Sequence, residues 1–272
     1  MPTIQIIGPG RAGRSLATAL DRAGWTVLPI LGRGDDVSAA LGGVDTVVLA
    51  VPDDVIAPLA KRLAPRPSTV VVHLAGSLGP DVLVPHARRA ALHPLVAMPD
   101  PEIGAARLAS GVTFAVAGDP FAREIAAALG GSTVDVPDAA RAAYHAAAAI
   151  ASNHVMAILG QVERVAGAVG LPLDAFLPLA RAAVEDAGRV GPRRALTGPA
   201  ARGDWQTLDR HLAAIDEAER PGYRAGVGLA LALRVGSAPA HANDEVPGAT
   251  GEEGRVAEPD DASVSASPVA PR

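Results

Sequence analysis

The chain has no cysteine. That excludes disulfides, thiolate catalysis, zinc–thiolate sites and iron–sulfur clusters, and it suits a reducing cytoplasm. Aromatic residues are scarce, at 3% against 49% hydrophobic residues overall, so alanine, valine and leucine must fill the core. There is a single lysine, Lys61, so a catalytic lysine has only one candidate. The chain opens directly on an apolar strand with no basic-then-apolar leader, from which a cytoplasmic location is expected. The longest apolar run, about Ala142 to Leu159, is interrupted by His145, Ser152, Asn153 and His154. It reads as a buried helix rather than a membrane span.

Most of the chain also lacks a surplus of either charge. Seven acids against two arginines in residues 237–272 account for the whole net charge of −5. Residues 1–236 are therefore neutral and offer no basic surface for nucleic acid. The stretch 237–272 is rich in Pro, Ala, Ser and Gly and nearly free of large apolar residues, so it is expected to be a disordered acidic tail. At 272 residues the chain can hold one large domain or two modest ones.

The plan of the chain is set at its beginning. Thr3–Ile7 reads as a buried strand, Gly8-Pro9-Gly10-Arg11-Ala12-Gly13 as a turn, and the alanine- and leucine-rich residues through Leu20 as a helix. A dinucleotide-binding fold requires that order at its first strand. Gly8 serves the tight turn, Gly10 lets the backbone approach a pyrophosphate, and Gly13 lets the helix pack on the strand. The helix start, with Arg11 and Ala12, would aim its N–H groups at phosphate. A glycine turn in an α/β domain binding another ligand would read alike.

The next strand, Trp25–Leu31, ends at Gly32-Arg33-Gly34, where NAD enzymes carry an acid for the ribose hydroxyls. A guanidinium there suits a 2′-phosphate, so NADP is expected; Asp35 and Asp36 close by keep NAD open. Further strands are read at Asp45–Val51, Thr69–His73, Ala90–Leu92, Val112–Val116 and Thr133–Val136, alternating with helical segments. This gives a Rossmann-like, doubly wound, mostly parallel α/β domain over residues 1–136. Val51-Pro52-Asp53 lies at a carboxyl strand end beside the expected cofactor, although helix capping alone accounts for Asp53.

From Pro137 the pattern becomes helical. Helices are expected from Asp138 to about Val169, Leu173 to Gly188, Trp205 to Glu219 and Pro221 to Val235. Residues 137–236 thus read as an all-α domain that closes the substrate cleft and pairs the chain into a homodimer.

Ligands of open α/β sheets gather at carboxyl strand ends. Two of those ends carry histidine, His73 and His93, with Ser77 just after the first. Histidine suits general acid–base work, and it equally suits capping a strand end. On the long helix, His145, Ala149, Ser152 and Met156 form one stripe at helical spacing with Asn153 at its edge; a cleft wall or satisfied core polar groups are both open. Arg193, Arg194 and Arg202, in a Gly- and Pro-rich segment, could grip a carboxylate, while Asp204 could cap the following helix. The residues give no metal-ligand pattern.

Taken together, Gly8-Pro9-Gly10-Arg11-Ala12-Gly13, Val51-Pro52-Asp53, His73-Leu74-Ala75-Gly76-Ser77, His93-Pro94-Leu95, Ala151-Ser152-Asn153-His154 and Ala195-Leu196-Thr197-Gly198-Pro199 resemble a bacterial family. That family pairs a Rossmann-like domain with a C-terminal helical domain of unknown function, and the resemblance covers about residues 1–235. It is similar in build to 6-phosphogluconate dehydrogenase, ketopantoate reductase and pyrroline-5-carboxylate reductase. The resemblance implies an NAD(P)-dependent oxidoreductase of a small carboxylate-bearing carbonyl or hydroxyl compound, ketopantoate being the first named candidate. The wider group often carries Lys-x-x-x-Asn on the first long helix. Aligning Asn153 with that asparagine puts Ala149 in place of the lysine, leaving His145 as a substitute proton donor. Gly76-Ser77 and His93-Pro94 resemble motifs of prephenate dehydrogenases, which implies roles for Ser77 and His93 in the site. The missing lysine keeps a non-catalytic dinucleotide sensor in view, and the arginines keep an F420-dependent NADP oxidoreductase in view.

Overall fold

A computed structural model describes residues 1–235, in which the apolar runs form one seven-stranded sheet. The strands are β1 (Thr3–Ile7), β2 (Thr26–Val27), β3 (Thr46–Leu49), β4 (Val70–His73), β5 (Arg89–Pro94), β6 (Thr113–Gly118) and β7 (Ser132–Asp135), in spatial order β2-β1-β3-β4-β5-β6-β7. All neighbours run parallel except β5 and β6. The order reverses between β1 and β3, which is the switch point where such sheets open a crevice for ligands.

Both faces of the central strands are covered, which is why they are apolar throughout rather than alternating. Four helices do this within the sheet unit: α1 (Arg11–Arg22), α2 (Asp53–Ala60), α3 (Pro101–Leu108) and α4 (Phe121–Ala128). Ile4, Ile6, Val48, Val72, Leu92 and Phe114 face α1, α3 and α4. Val47, Leu49 and Val71, one residue out of step, meet Ile56, Leu59 and Ala60 of α2 on the other face, as period-two alternation requires. β2 is shorter than its apolar run predicts. Only Thr26 and Val27 form the ladder, Pro29 has no N–H to continue it, and pairing resumes as a single bridge between Ile7 and Leu31.

The long helix expected after Pro137 is composite. A 3-10 turn at Asp138–Ala140 leads into α5 (Arg141–Ala149), a π-helical turn at Ile150–His154, and α6 (Val155–Gly167). The chain divides into two compact units between Ala157 and Ile158, so α5 belongs with the sheet. The expectation that this segment is buried does not hold: Ile150 and Met156 are 56% and 61% exposed, and Arg141 is the buried residue of α5. No helix among the described residues is long and apolar enough to cross a membrane.

The second unit contains most of α6 with α7 (Leu177–Val190), α8 (Pro192–Ala195), α9 (Gly198–Arg202), α10 (Trp205–Ala214) and α11 (Arg220–Val235). Gln161 and Arg164 of α6 bond to Glu219, and the Tyr223 hydroxyl lies 2.7 Å from His211 Nδ1. The Asp204 side chain accepts from the Thr207 N–H, capping α10. The unit buries few large side chains: Val169, Leu179, Val184, Leu229 and Val235 are all exposed. The stretch 237–272, read as an acidic tail, lies outside the described residues.

Candidate active site

The glycine turn has the shape a dinucleotide needs. Gly8 has φ +120°, and a Cβ there would sit 2.2 Å from the Ala50 carbonyl oxygen. At Gly13 a Cβ would sit 2.0 Å from the Gly8 oxygen. These two glycines are therefore required by the fold. Gly10 differs, since a Cβ there meets nothing within 4 Å, and it caps α1 with no side-chain hydrogen bond. The N–H groups of Arg11, Ala12 and Gly13 head the helix without intrahelical acceptors, beneath open space. An anion fits that place on both charge and access.

Beyond β2, the two acids that kept NAD open are engaged locally. Asp35 Oδ2 accepts the Gly32 N–H at 2.7 Å and Asp36 Oδ1 accepts the Ser38 N–H at 2.9 Å. Arg33 is exposed and has no ion pair or hydrogen bond among the described residues. At the end of β3, Pro52 caps α2, and Asp53 Oδ2 accepts the Ser77 hydroxyl at 2.8 Å. The Val51-Pro52-Asp53 turn and the Gly76-Ser77 loop are thereby tied together at the carboxyl edge.

The two strand-end histidines are used differently. His73 is fully buried, donates from Nε2 to the Gly79 carbonyl at 3.1 Å and accepts the Ala75 N–H at Nδ1 at 3.2 Å. Both ring nitrogens are occupied by the loop that carries Ser77. Burial pushes its pKa down to about 4, so it stays neutral and pins that loop.

His93, at the end of β5, reaches outward to α5. Its Nδ1 lies 2.6 Å from the Tyr144 hydroxyl, and its ring meets those of Tyr144 and His145 edge-on, at centroid distances of 5.6 and 5.7 Å. Gly76 makes this convergence fit: a Cβ there would lie 2.6 Å from His145 Cδ2 and 3.0 Å from His93 Nε2. Burial, then the neighbouring His145 and Arg141, lower the His93 pKa to about 4. Burial raises that of Tyr144, with Arg141 opposing. The pair is thus a neutral imidazole and a protonated phenol near neutral pH.

Spacing along α5 accounts for the group. Arg141, Tyr144 and His145 stand at i, i+3 and i+4 and share a helical face. Sequence reasoning missed Arg141 and Tyr144; one arginine and one tyrosine at this spacing in an alanine-rich helix was the available signal.

His93, His145, Gly76 and, through its loop, Ser77 are brought together. Asn153 is exposed and has no hydrogen bond among the described residues. The expected stripe through His145, Ala149, Ser152 and Met156 is not continuous. The π turn at Ile150–His154 bonds i to i+5 and so breaks the 3.6-residue period. Of the arginines read as a carboxylate grip, Arg193 donates to the Arg234 carbonyl at 3.4 Å, and Arg202 pairs with Asp204 at 3.9 Å. Among the described residues no group of His, Cys, Asp and Glu has the makeup of a metal site.

Residues 110–228 match the family described as a domain of unknown function, DUF2520. The match takes in β6, β7, the Arg141-x-x-Tyr144-His145 helix and most of the helical unit. No curated protein matches by sequence. Among solved structures, a provisionally assigned NADP oxidoreductase from Bacteroides fragilis gives a TM-score of 0.73 at 21% identity, over 86% of this chain and 98% of that one. A reductive aminase from Aspergillus terreus, solved with NADPH and ethyl-5-oxohexanoate, gives 0.61 at 15% identity, over 87% and 95%. A Plasmodium falciparum pyrroline carboxylate reductase with NADP bound gives 0.56 at 13% identity, over 86% and 98%. At these identities the likeness is one of fold, and it bears out the Rossmann-like architecture with its helical C-terminal region.

Proposed function

We propose that the chain is an NADP-dependent reductase of a small carbonyl or imine compound that bears a carboxylate. The observation that carries this reading is the 2.6 Å contact between His93 Nδ1 and the Tyr144 hydroxyl, at the same carboxyl sheet edge as the dinucleotide turn. The structural neighbours solved with NADP or NADPH support the cofactor, and their reductase and aminase activities support the reaction class.

The N–H groups of Arg11, Ala12 and Gly13 hold the pyrophosphate, Gly10 leaves room for it, and Arg33 takes the 2′-phosphate. Val51, Pro52 and Asp53 border the nucleoside. When bound, reduced NADP supplies a hydride to the electrophilic carbon. Tyr144 supplies the proton to the oxygen or nitrogen, which completes a two-electron reduction. His93, donating from Nδ1–H, steadies the phenolate that forms, and the positive charge of Arg141 favours the same anion. In this arrangement the hydroxyl proton of Tyr144 is free for the substrate. Ser77, anchored on Asp53, and Asn153 orient the substrate, and His145 closes the group around Gly76.

The helical unit pairs with a second copy of the chain. Its exposed Val169, Leu179, Val184, Leu229 and Val235 are apolar surface of the kind interfaces cover.

The test is NADPH oxidation, followed by absorbance, against a panel of α-keto acids, cyclic imino acids and ketopantoate, the last implied by the family resemblance. Turnover with one class assigns the substrate. Tight NADPH binding without turnover on any of them contradicts the reductase reading and favours a dinucleotide sensor.

A further inference from the structure

Arg141 is buried and left without a hydrogen-bond partner. It opens α5, is 1% exposed, and its Nε, Nη1 and Nη2 atoms are all unpartnered among the described residues. Asp138, one turn earlier, places Oδ1 3.4 Å from Nε. Its carboxyl lies against Gly79 and offsets part of the charge without making a hydrogen bond. A guanidinium removed from water with none of its five N–H donors engaged is costly, and its rigid fork matches a carboxylate through two parallel hydrogen bonds.

The position of this group is informative. Arg141 shares a face of α5 with Tyr144 and His145, and its charge is felt at His73, His93 and Tyr144. Arg141 and Tyr144 stand three residues apart on that face, which puts their Cβ atoms roughly 5–6 Å from each other. That suits an acid whose reducible carbon adjoins its carboxyl carbon.

We propose that Arg141 is the carboxylate-binding residue of this site, and that the substrate is a small α-keto or α-imino acid whose reducible carbon lies at the Tyr144–His93 pair. The assignment rests on the reductase reading above and names its substrate class. It moves the carboxylate from the arginines of the helical unit to the first residue of α5. Asp138 selects among anions: its negative charge beside the guanidinium opposes a dianionic phosphate more than a monoanionic carboxylate.

The test is binding of pyruvate, pyruvamide and inorganic phosphate to the full chain without nucleotide, by calorimetry and by the ring-proton signals of His93. Wild type should bind pyruvate at least roughly 10-fold more tightly than pyruvamide. Arg141→Gln should weaken pyruvate by roughly 10–100-fold, the range for a charge-assisted hydrogen bond, and leave NADPH binding as it was. Arg141→Lys should fall between. Asp138→Asn, at an exposed side chain, should tighten pyruvate several-fold, whereas a purely structural Arg141–Asp138 pair gives no such gain. If Arg141→Gln does not fold, Asp138→Asn and the pyruvate-to-pyruvamide ratio decide.

Absence of pyruvate binding, equal binding of pyruvate and pyruvamide, tighter binding of phosphate than pyruvate, or undiminished pyruvate binding in a folded Arg141→Gln overturns the assignment. Its failure is separable from failure of the reductase reading. Arg141-dependent pyruvate binding with no NADPH oxidation by any carbonyl acid sinks only the reductase. Equal turnover of acids and neutral ketones, unchanged in Arg141→Gln, sinks only the carboxylate site.

Discussion

The Tyr144 hydroxyl lies 2.6 Å from His93 Nδ1, so a residue of the first C-terminal helix completes a group begun at the end of β5. The contact joins a protonated phenol to an imidazole that burial keeps neutral. In the proposed reaction proton delivery falls to the tyrosine for that reason, with the histidine as its support. Tyr144→Phe should lower kcat by roughly 10²–10⁴-fold, the span of general acid catalysis, with KM and NADPH affinity little changed. His93→Gln, which keeps an N–H donor, should cost less. Steady-state kinetics on both variants would remove Tyr144 from the mechanism if its loss left kcat intact.

The two buried histidines also make stability depend on pH. His73 and His93 have folded-state pKa values of about 4, against about 6.5 in an unfolded chain. Between those values the unfolded state binds more protons, so stability rises with pH. Their contribution is fully present above about pH 6.5 and is lost progressively as pH falls toward about 4. Urea unfolding between pH 7 and 4 should show a slope approaching two protons, or about 1.4 kcal/mol per pH unit for each histidine. A stability independent of pH over that window would show both rings solvated.

Gly8 and Gly10 separate folding from binding. Gly8→Ala would force a Cβ to 2.2 Å from the Ala50 oxygen at φ +120°, at a cost on the order of 1–3 kcal/mol from the backbone alone. Gly10→Ala meets no atom within 4 Å and keeps an extended backbone (φ −73°, ψ −178°), so stability should stay within about 0.5 kcal/mol. Its methyl group would fill the space above the α1 N–H groups, and NADPH affinity should fall at least roughly 10-fold, or about 1.4 kcal/mol. Thermal melting and nucleotide titration of both variants test this directly; unchanged NADPH affinity in Gly10→Ala would place the pyrophosphate elsewhere.

The helical unit exposes Val169, Leu179 and Val184 at 72%, 71% and 67%, and sedimentation should show a dimer. Leu179→Glu together with Val184→Glu should yield a monomer that keeps its helical content. A wild-type monomer at micromolar concentration would leave that apolar surface unexplained.

The sheet was legible because its signals are local. Buried parallel strands read as unbroken apolar runs, and Gly8, Gly10 and Gly13 report a strand–turn–helix junction within six residues. His93 was legible as a histidine at a carboxyl strand end. Its partner was not, because Tyr144 reaches it through the approach of α5 to β5, across 51 residues of chain. Arg141 was hidden for the same reason, since nothing local says that one arginine of an alanine-rich helix loses its solvent. His73 shows the opposite limit: its position at a strand end is readable, but its use by the backbone of Ala75 and Gly79 depends on the loop's path. The π turn at Ile150–His154 displaced the stripe drawn from a regular period, and no residue type in Ile-Ala-Ser-Asn-His announces it.

The most direct measurement is titration of the purified protein with NADPH and with NADH, followed by nicotinamide fluorescence. NADPH should bind at least roughly 10-fold more tightly than NADH, the range for one charge-assisted contact to the 2′-phosphate, and Arg33→Ala should close that gap. Equal affinities unaffected by Arg33→Ala would contradict the NADP assignment, and binding of neither nucleotide would contradict a dinucleotide-dependent enzyme altogether.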